Sequence, residues 1–239
     1  LFGVQRFVDE VATNATTNSA VPIPHMSLYR FPDIWHNLTF LGGYYKTLLG
    51  LIFILLVVND YQYKTIRSNI INGWSRVQFF NAKLLLMTAL ALITTLLFFL
   101  SGTILGFRNT ELVTSQIYFS QLYFVAAYFL ELFSYLSLVL FLAVWLQRAG
   151  LTLIMLIVYT YIIEPVLVFV FNREFDTTIG QYLPLNAIGD IIQVPNSPLM
   201  QIFGYEFHEG ISLNQCFVAL GWALLFIFAV YRRLTRGDL

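Results

Sequence analysis

The chain has 239 residues, of which 58% are hydrophobic and only 11% charged, with a mean hydropathy of +0.73; soluble domains carry roughly 25% charged residues, so a water-soluble globule is excluded. Lys plus Arg and Asp plus Glu each number 13, giving a formal net charge of zero, and no basic excess is present to grip a nucleic-acid backbone. One cysteine, Cys216, and three histidines, His25, His36 and His208, make neither a disulfide framework nor a pair at metal-ligand spacing.

The chain opens Leu1-Phe2-Gly3-Val4-Gln5 and not with Met, and no short apolar core with a small-residue cleavage site follows. It reads as a trimmed chain without a signal peptide. Residues 8–32 are polar and turn-rich, with Asn14-Ala15-Thr16-Thr17-Asn18-Ser19 followed by Pro22 and Pro24, so residues 1–37 are predicted as an external loop. Asn14-Ala15-Thr16 and Asn37-Leu38-Thr39 match the glycosylation acceptor pattern, a match too common to carry weight outside a eukaryotic source.

About 20 apolar residues cross a bilayer's hydrocarbon core. Five runs qualify, near residues 38–58, 84–107, 117–146, 151–171 and 213–231. They are continuous and lack inside-outside alternation, which predicts helices and not a barrel. Residues 172–212 carry Pro184, Pro195, Pro198 and Asp190 among apolar residues, which fits short helices dipping into the outer leaflet. No internal repeat and no second domain is evident. The expected fold is therefore an all-α integral membrane bundle forming a single transmembrane domain over residues 1–239.

Orientation follows from the short loops, because Lys and Arg concentrate on the cytoplasmic side. Lys64, Arg67, Arg76 and Lys83 lie between the first two runs, Arg148 lies between the third and fourth, and Arg232, Arg233 and Arg236 follow the fifth. The opposite side holds residues 8–37, the loop near Arg108 and Glu111, and residues 172–212, where Glu174, Asp176, Asp190, Glu206 and Glu209 outnumber Arg173. The expectation is a multi-pass protein of a bacterial cytoplasmic membrane with its C-terminus inside and Leu1 outside. Five spans with an external start imply an upstream helix, making about six.

Residues 59–83 are too polar to span. At helical spacing Tyr63, Ile66, Ile70, Trp74 and Val77 share a face, with Lys64, Arg67, Ser68, Asn72, Ser75 and Arg76 largely off it. Two readings stay open: an interfacial helix anchored by Trp74 and basic residues, or two short helices meeting at Gly73, whose lack of a Cβ tolerates an elbow.

Asp60-Tyr61-Gln62-Tyr63-Lys64-Thr65-Ile66-Arg67, then Gly73-Trp74-Ser75-Arg76, Phe79-Phe80 and Lys83, resemble the membrane-spanning subunits of ABC transporters of the ABC-2 (type V exporter-like) class. The basic tail from Tyr231 to Leu239 and Leu183-Pro184-Leu185-Asn186 are similar to that family's tail and outer re-entrant region. Asp60 departs conservatively from a more usual Glu. The resemblance implies a permease dimerising with a second copy or a related chain within membrane lipid. It also implies a separate cytoplasmic P-loop ATPase subunit that binds ATP and Mg. Residues 59–83 would be the coupling helix, with Asp60, Lys64, Thr65, Arg67, Ser68, Ile70, Asn72, Gly73, Trp74 and Arg76 meeting the ATPase.

The chain itself has no G-x-x-x-x-G-K-[ST], no G-x-S-x-G and no H-E-x-x-H motif, so it is not expected to be catalytic, to bind a cofactor or to bind a metal. Three ionisable residues fall inside the spans: Lys46, Glu131 and Glu164. Buried charge is costly and demands a partner. A Lys46–Glu164 pair and a Glu131–Tyr135 contact are the expected arrangements, with either a structural or a path-lining role. Three functions are weighed: an ATP-driven exporter or flippase-like permease, a non-transport ABC subunit in mechanical signalling or anchoring, and an ATP-independent carrier. The last is disfavoured because inverted repeats with broken midplane helices are not evident.

Overall fold

A computed structural model describes residues 29–63, 71, 73–175, 178–195 and 210–236. Among these the elements are α1 (Ile34–Gln62), α2 (Arg76–Asn109), α3 (Ser115–Phe119), α4 (Tyr123–Leu146), α5 (Ala149–Val158), a π-helical turn (Tyr159–Ile163), α6 (Glu164–Phe175), a 3-10 turn (Thr178–Tyr182), α7 (Pro184–Gly189) and α8 (Leu213–Arg236). Five helical stretches are long and apolar enough to cross a membrane: Ile34–Gln62, Arg76–Asn109, Ser115–Leu146, Ala149–Glu174 and Leu213–Arg236. These are the five runs expected from the sequence. Each extends beyond its apolar stretch, because a helix ends where its backbone amides find other partners and not where its side chains turn polar.

The start of α2 illustrates this. Ser75 is the N-cap: its Oγ accepts from the Gln78 amide at 3.2 Å, and the Ser75 amide donates to Gln78 Oε1 at 2.8 Å. This reciprocal box satisfies two otherwise orphaned donors, so α2 begins well before its apolar run. The stretch expected as one third span is a short α3, a turn and then α4. Helix α4 ends at Gln147, whose φ of 53° is left-handed and stops the helix before Arg148 leads into α5. In the fourth stretch Pro165 lacks an N–H, and its ring crowds the carbonyl four residues back. The π turn at Tyr159–Ile163 precedes that proline and absorbs the misfit.

The core is centred on α4, which packs on α1, α2, α5, α7 and α8. Apart from Glu131 and two serines that are buried with it, its faces are apolar, and Leu132, Leu136, Val139, Leu140, Ala143 and Val144 are fully buried. The other long helices bury a narrow stripe and leave large apolar residues outward, among them Leu96, Leu97 and Leu100 on α2, Ile154 and Ile157 on α5, and Leu224 and Phe228 on α8. So much outward apolar surface suits a lipid surround and not water.

Helices α1 and α4 meet through small residues facing large ones. A Cβ on Gly42 would stand 2.9 Å from the Tyr128 ring, and one on Gly50 would stand 2.9 Å from Tyr135. Such spacing lets two backbones approach closely, and the Tyr128 hydroxyl donates to the Gly42 carbonyl at 3.1 Å. The antiparallel α1–α2 pair uses the same device at the α1 N-terminus. There Gly102 and Gly106 receive Trp35 and Phe31, Trp35 stacks on Phe99 with centroids 5.5 Å apart, and Trp35 Nε1 donates to the Tyr118 carbonyl at 2.9 Å.

In the region expected to hold short outer helices, the described part forms the 3-10 turn and α7, and residues 196–209, with Pro198, Glu206 and Glu209, lie outside the described residues. Helix α7 packs on α4 and α8, with Ala187, Ile188 and Ile191 fully buried. His36 Nε2 lies 2.7 Å from the Gln193 carbonyl and Trp222 Nε1 donates to the Tyr182 carbonyl at 2.8 Å, so α1 and α8 both hold this cap against the bundle.

Candidate functional site

Two places gather the residues singled out by the sequence. The first is the connection between α1 and α2. Its base is an ion pair between Asp60, in the last turn of α1, and Lys83, in the second turn of α2. Lys83 also donates to the Leu56 carbonyl at 3.3 Å and stands 5.4 Å over the Phe79 ring, while Tyr61 meets Phe79 edge-on at 6.4 Å. The two helix ends on either side of the connection are thereby fastened together.

Beyond that base, Gly73 has a φ of 93°, a conformation that side chains with a Cβ avoid, and the Ser75 capping box restarts the helix two residues on. This is the geometry of a bend at Gly73 and not of one uninterrupted helix through residues 71–80. Ile71 is 84% and Trp74 48% exposed. Arg76, the first residue of α2, is half-buried and has a partner. Lys64, Thr65, Arg67, Ser68, Ile70 and Asn72 lie outside the described residues.

The second place is the α1–α4 seam. Residues 42, 46 and 50 of α1 recur every four positions, and residues 128, 131 and 135 of α4 recur every three or four, so both sets form stripes. Lys46 Nζ donates to Glu131 Oε1 at 2.7 Å, with the lysine side chain 20% and the glutamate 4% exposed. The expected pairing of Lys46 with Glu164 is therefore corrected: Lys46 belongs to Glu131. The parallel course of α1 and α4 puts the two at one level, and Gly43 leaves room for the carboxylate, since a Cβ there would lie 3.1 Å from Glu131 Oε1. Tyr135, expected beside Glu131, instead packs its ring against Gly50. Asp190, after α7, lies near enough for the Lys46 charge to act on it; enclosure by protein atoms pushes its carboxyl above the usual range, and Lys46 opposes that rise.

Glu164 has a different partner. Its Oε1 accepts from the Asn186 amide at 2.7 Å, the third residue of α7, and the Tyr159 hydroxyl lies beside the same carboxyl group. Leu183, the N-cap of α7, has no side-chain cap of its own. A carboxylate on α6 supplies the capping acceptor from a distance. The sequence carried no sign of this, because the cap is contributed by a residue 22 positions away. The role of Lys83 as the partner of Asp60 was equally unreadable as a contact, although both residues stood in the motif.

The fold and these two sites are compatible with a multi-pass membrane protein built round a buried central helix. No family model, no curated protein and no solved structure matches the chain.

Proposed function

We propose that this chain is the membrane-spanning permease subunit of an ABC transporter of the ABC-2 class, exporting or flipping a substrate by alternating access. A separate cytoplasmic P-loop ATPase subunit, with its ATP and Mg, drives the cycle, and two permease chains enclose the path, since five or six helices enclose little room. The Lys83 end of the bundle faces the cytoplasm. The observation that carries this reading is the connection between α1 and α2: exposed Ile71 and Trp74, a bend at Gly73, and helix ends fastened on either side by Asp60 and Lys83. A fastened base is what a segment needs if it is to pass force between a partner and two spans. A helix resting on lipid has no such requirement.

In this reading Lys64, Arg67, Ser68, Asn72 and Arg76 meet polar or acidic groups of the ATPase, and Ile70 and Trp74 fill its apolar contacts. The Lys46–Glu131 pair holds α1 to α4, so a stroke received by α1 reaches the central helix. Truncating an aromatic anchor such as Trp74 to Ala lowers association by about 2 kcal/mol, and Arg67→Glu weakens assembly more than Arg67→Gln because like charges then repel. Co-purification of the ATPase subunit with variants matched for membrane insertion tests this. Undiminished binding and undiminished coupled hydrolysis in both Trp74→Ala and Arg67→Glu would refute the assignment. Substrate-dependent ATPase activity in proteoliposomes separates transport from a purely mechanical role of the same subunit.

A further inference from the structure

At the C-terminal end of α8 three arginines surround an apolar groove of about 640 Å³ between α8 and the end of α4. The floor is Leu225, Phe228 and Ala229, with the Trp145 ring of α4 as one wall, and the rim is Arg232, Arg233 and Arg236. Residues four apart lie one above another on a helix, so Arg232 stands over Phe228, Arg233 over Ala229 and Arg236 over Arg232. The Arg233 guanidinium is held 5.4 Å over the Trp145 ring. A smaller hollow of about 160 Å³ continues round Arg232 and Arg236, beside Phe228, Tyr231 and Thr235. Among the described residues no acidic side chain lines either hollow, and none of the three arginines forms an ion pair.

We infer that this groove is a binding site for an anionic phospholipid, whose phosphate sits among Arg232, Arg233 and Arg236 and whose acyl chain lies along Leu225 and Phe228. The inference rests on the reading of α8 as a membrane span. Charge and shape together select this occupant. Three guanidiniums that form no ion pair among the described residues suit an anion, and the arginine fork suits phosphate oxygens. The floor below them is apolar and runs into the outward Leu224, Leu225 and Phe228 face of α8, which suits a hydrocarbon chain and not an acidic protein loop. Trp145, half-exposed at the end of its helix, sits where tryptophan marks the headgroup level, so the arginines stand at the depth of lipid phosphates.

The test uses the full chain purified in detergent, titrated with phosphatidylglycerol or phosphatidylcholine of identical acyl chains and read by native mass spectrometry. Phosphatidylglycerol binds preferentially; each of Arg232→Gln, Arg233→Gln and Arg236→Gln weakens it about fivefold, and the triple variant loses the preference. Trp145→Ala also weakens it by freeing Arg233, while Arg173→Gln, a basic residue on α6 outside the groove, leaves it unchanged. Equal binding of the two lipids, or a triple variant that keeps the preference, overturns the site. So does glycerol phosphate competing as well as the lipid, which would make it a phosphate site without a chain. A triple variant that keeps lipid preference but loses a co-purifying ATPase subunit assigns the arginines to protein contact and likewise overturns it. Resistance of the wild-type chain to alkaline extraction from membranes separates the two levels: extraction refutes the membrane reading itself, whereas retention without lipid preference refutes only the groove.

Discussion

Lys46 and Glu131 are the residues whose loss the fold should feel most sharply. In a low-dielectric interior each is tolerable only because of the other, and removing one leaves an uncompensated buried charge. The hydrogen bond of 2.7 Å and the near-complete burial of the carboxylate place this pair in that regime, while the partly open lysine sets the expected effect at the lower end. Lys46→Met alone should destabilise the protein by about 3 kcal/mol, and the double variant Lys46→Met with Glu131→Leu should recover most of that loss. Thermal unfolding of the detergent-solubilised variants measures it. If the double variant is as unstable as the two single losses added together, the residues do not act as a pair. Glu164 obeys a different logic: its carboxylate serves the backbone of α7, so its role is to seat the cap region and not to neutralise a cation.

Among the elements, the seams of α1 are decided by what stands opposite each glycine. Gly102 lies under Trp35, and a Cβ there would meet the indole at 2.8 Å. Gly221, midway along α8, has nothing within 4 Å of the same construction. Gly102→Ala should therefore cost about 1–3 kcal/mol through overpacking of a rigid ring. Gly221→Ala should be neutral or stabilising by up to about 1 kcal/mol, since alanine loses less backbone entropy in a helix. Unfolding of the two variants side by side in the same detergent tests the contrast; equal effects would mean that the aromatic cluster round Trp35 yields more readily than close packing implies.

For the molecule as a whole, the proposed sidedness makes a direct prediction. The Lys83 end carries Arg76, Arg148, Arg232, Arg233 and Arg236, and the opposite end fewer basic residues, Arg30, Arg108 and Arg173, beside Glu111, Glu174 and Asp190, an imbalance that the positive-inside rule converts into orientation. In a Cys216→Ser background, Glu174→Cys should react with an impermeant maleimide on intact cells. Ser68→Cys should react only after the membrane is opened. Labelling of Ser68→Cys from outside would invert the layout and remove the ATPase contact from the segment after α1.

The sequence by itself determined that there are five stretches long and apolar enough to cross a membrane, roughly where they run and that they suit an apolar surround, because length and apolarity are properties of single segments. It also marked the bend at Gly73 as one of two readings, since a residue without a Cβ is itself the signal. It could not say which helix is central. The stretches holding α2 and α5–α6 are at least as apolar as the one holding α4, so only the neighbours that cover α4 make it central. The partner of Lys46 was likewise decided by tertiary structure: Glu131 and Glu164 are equally plausible as charges in the chain, and the parallel packing of α1 on α4 brings one of them to the level of the lysine. The remaining carboxylate then meets a helix start that its own sequence left uncapped. Contacts of this kind depend on the relative rotation and depth of whole helices, which residue spacing along one chain does not encode.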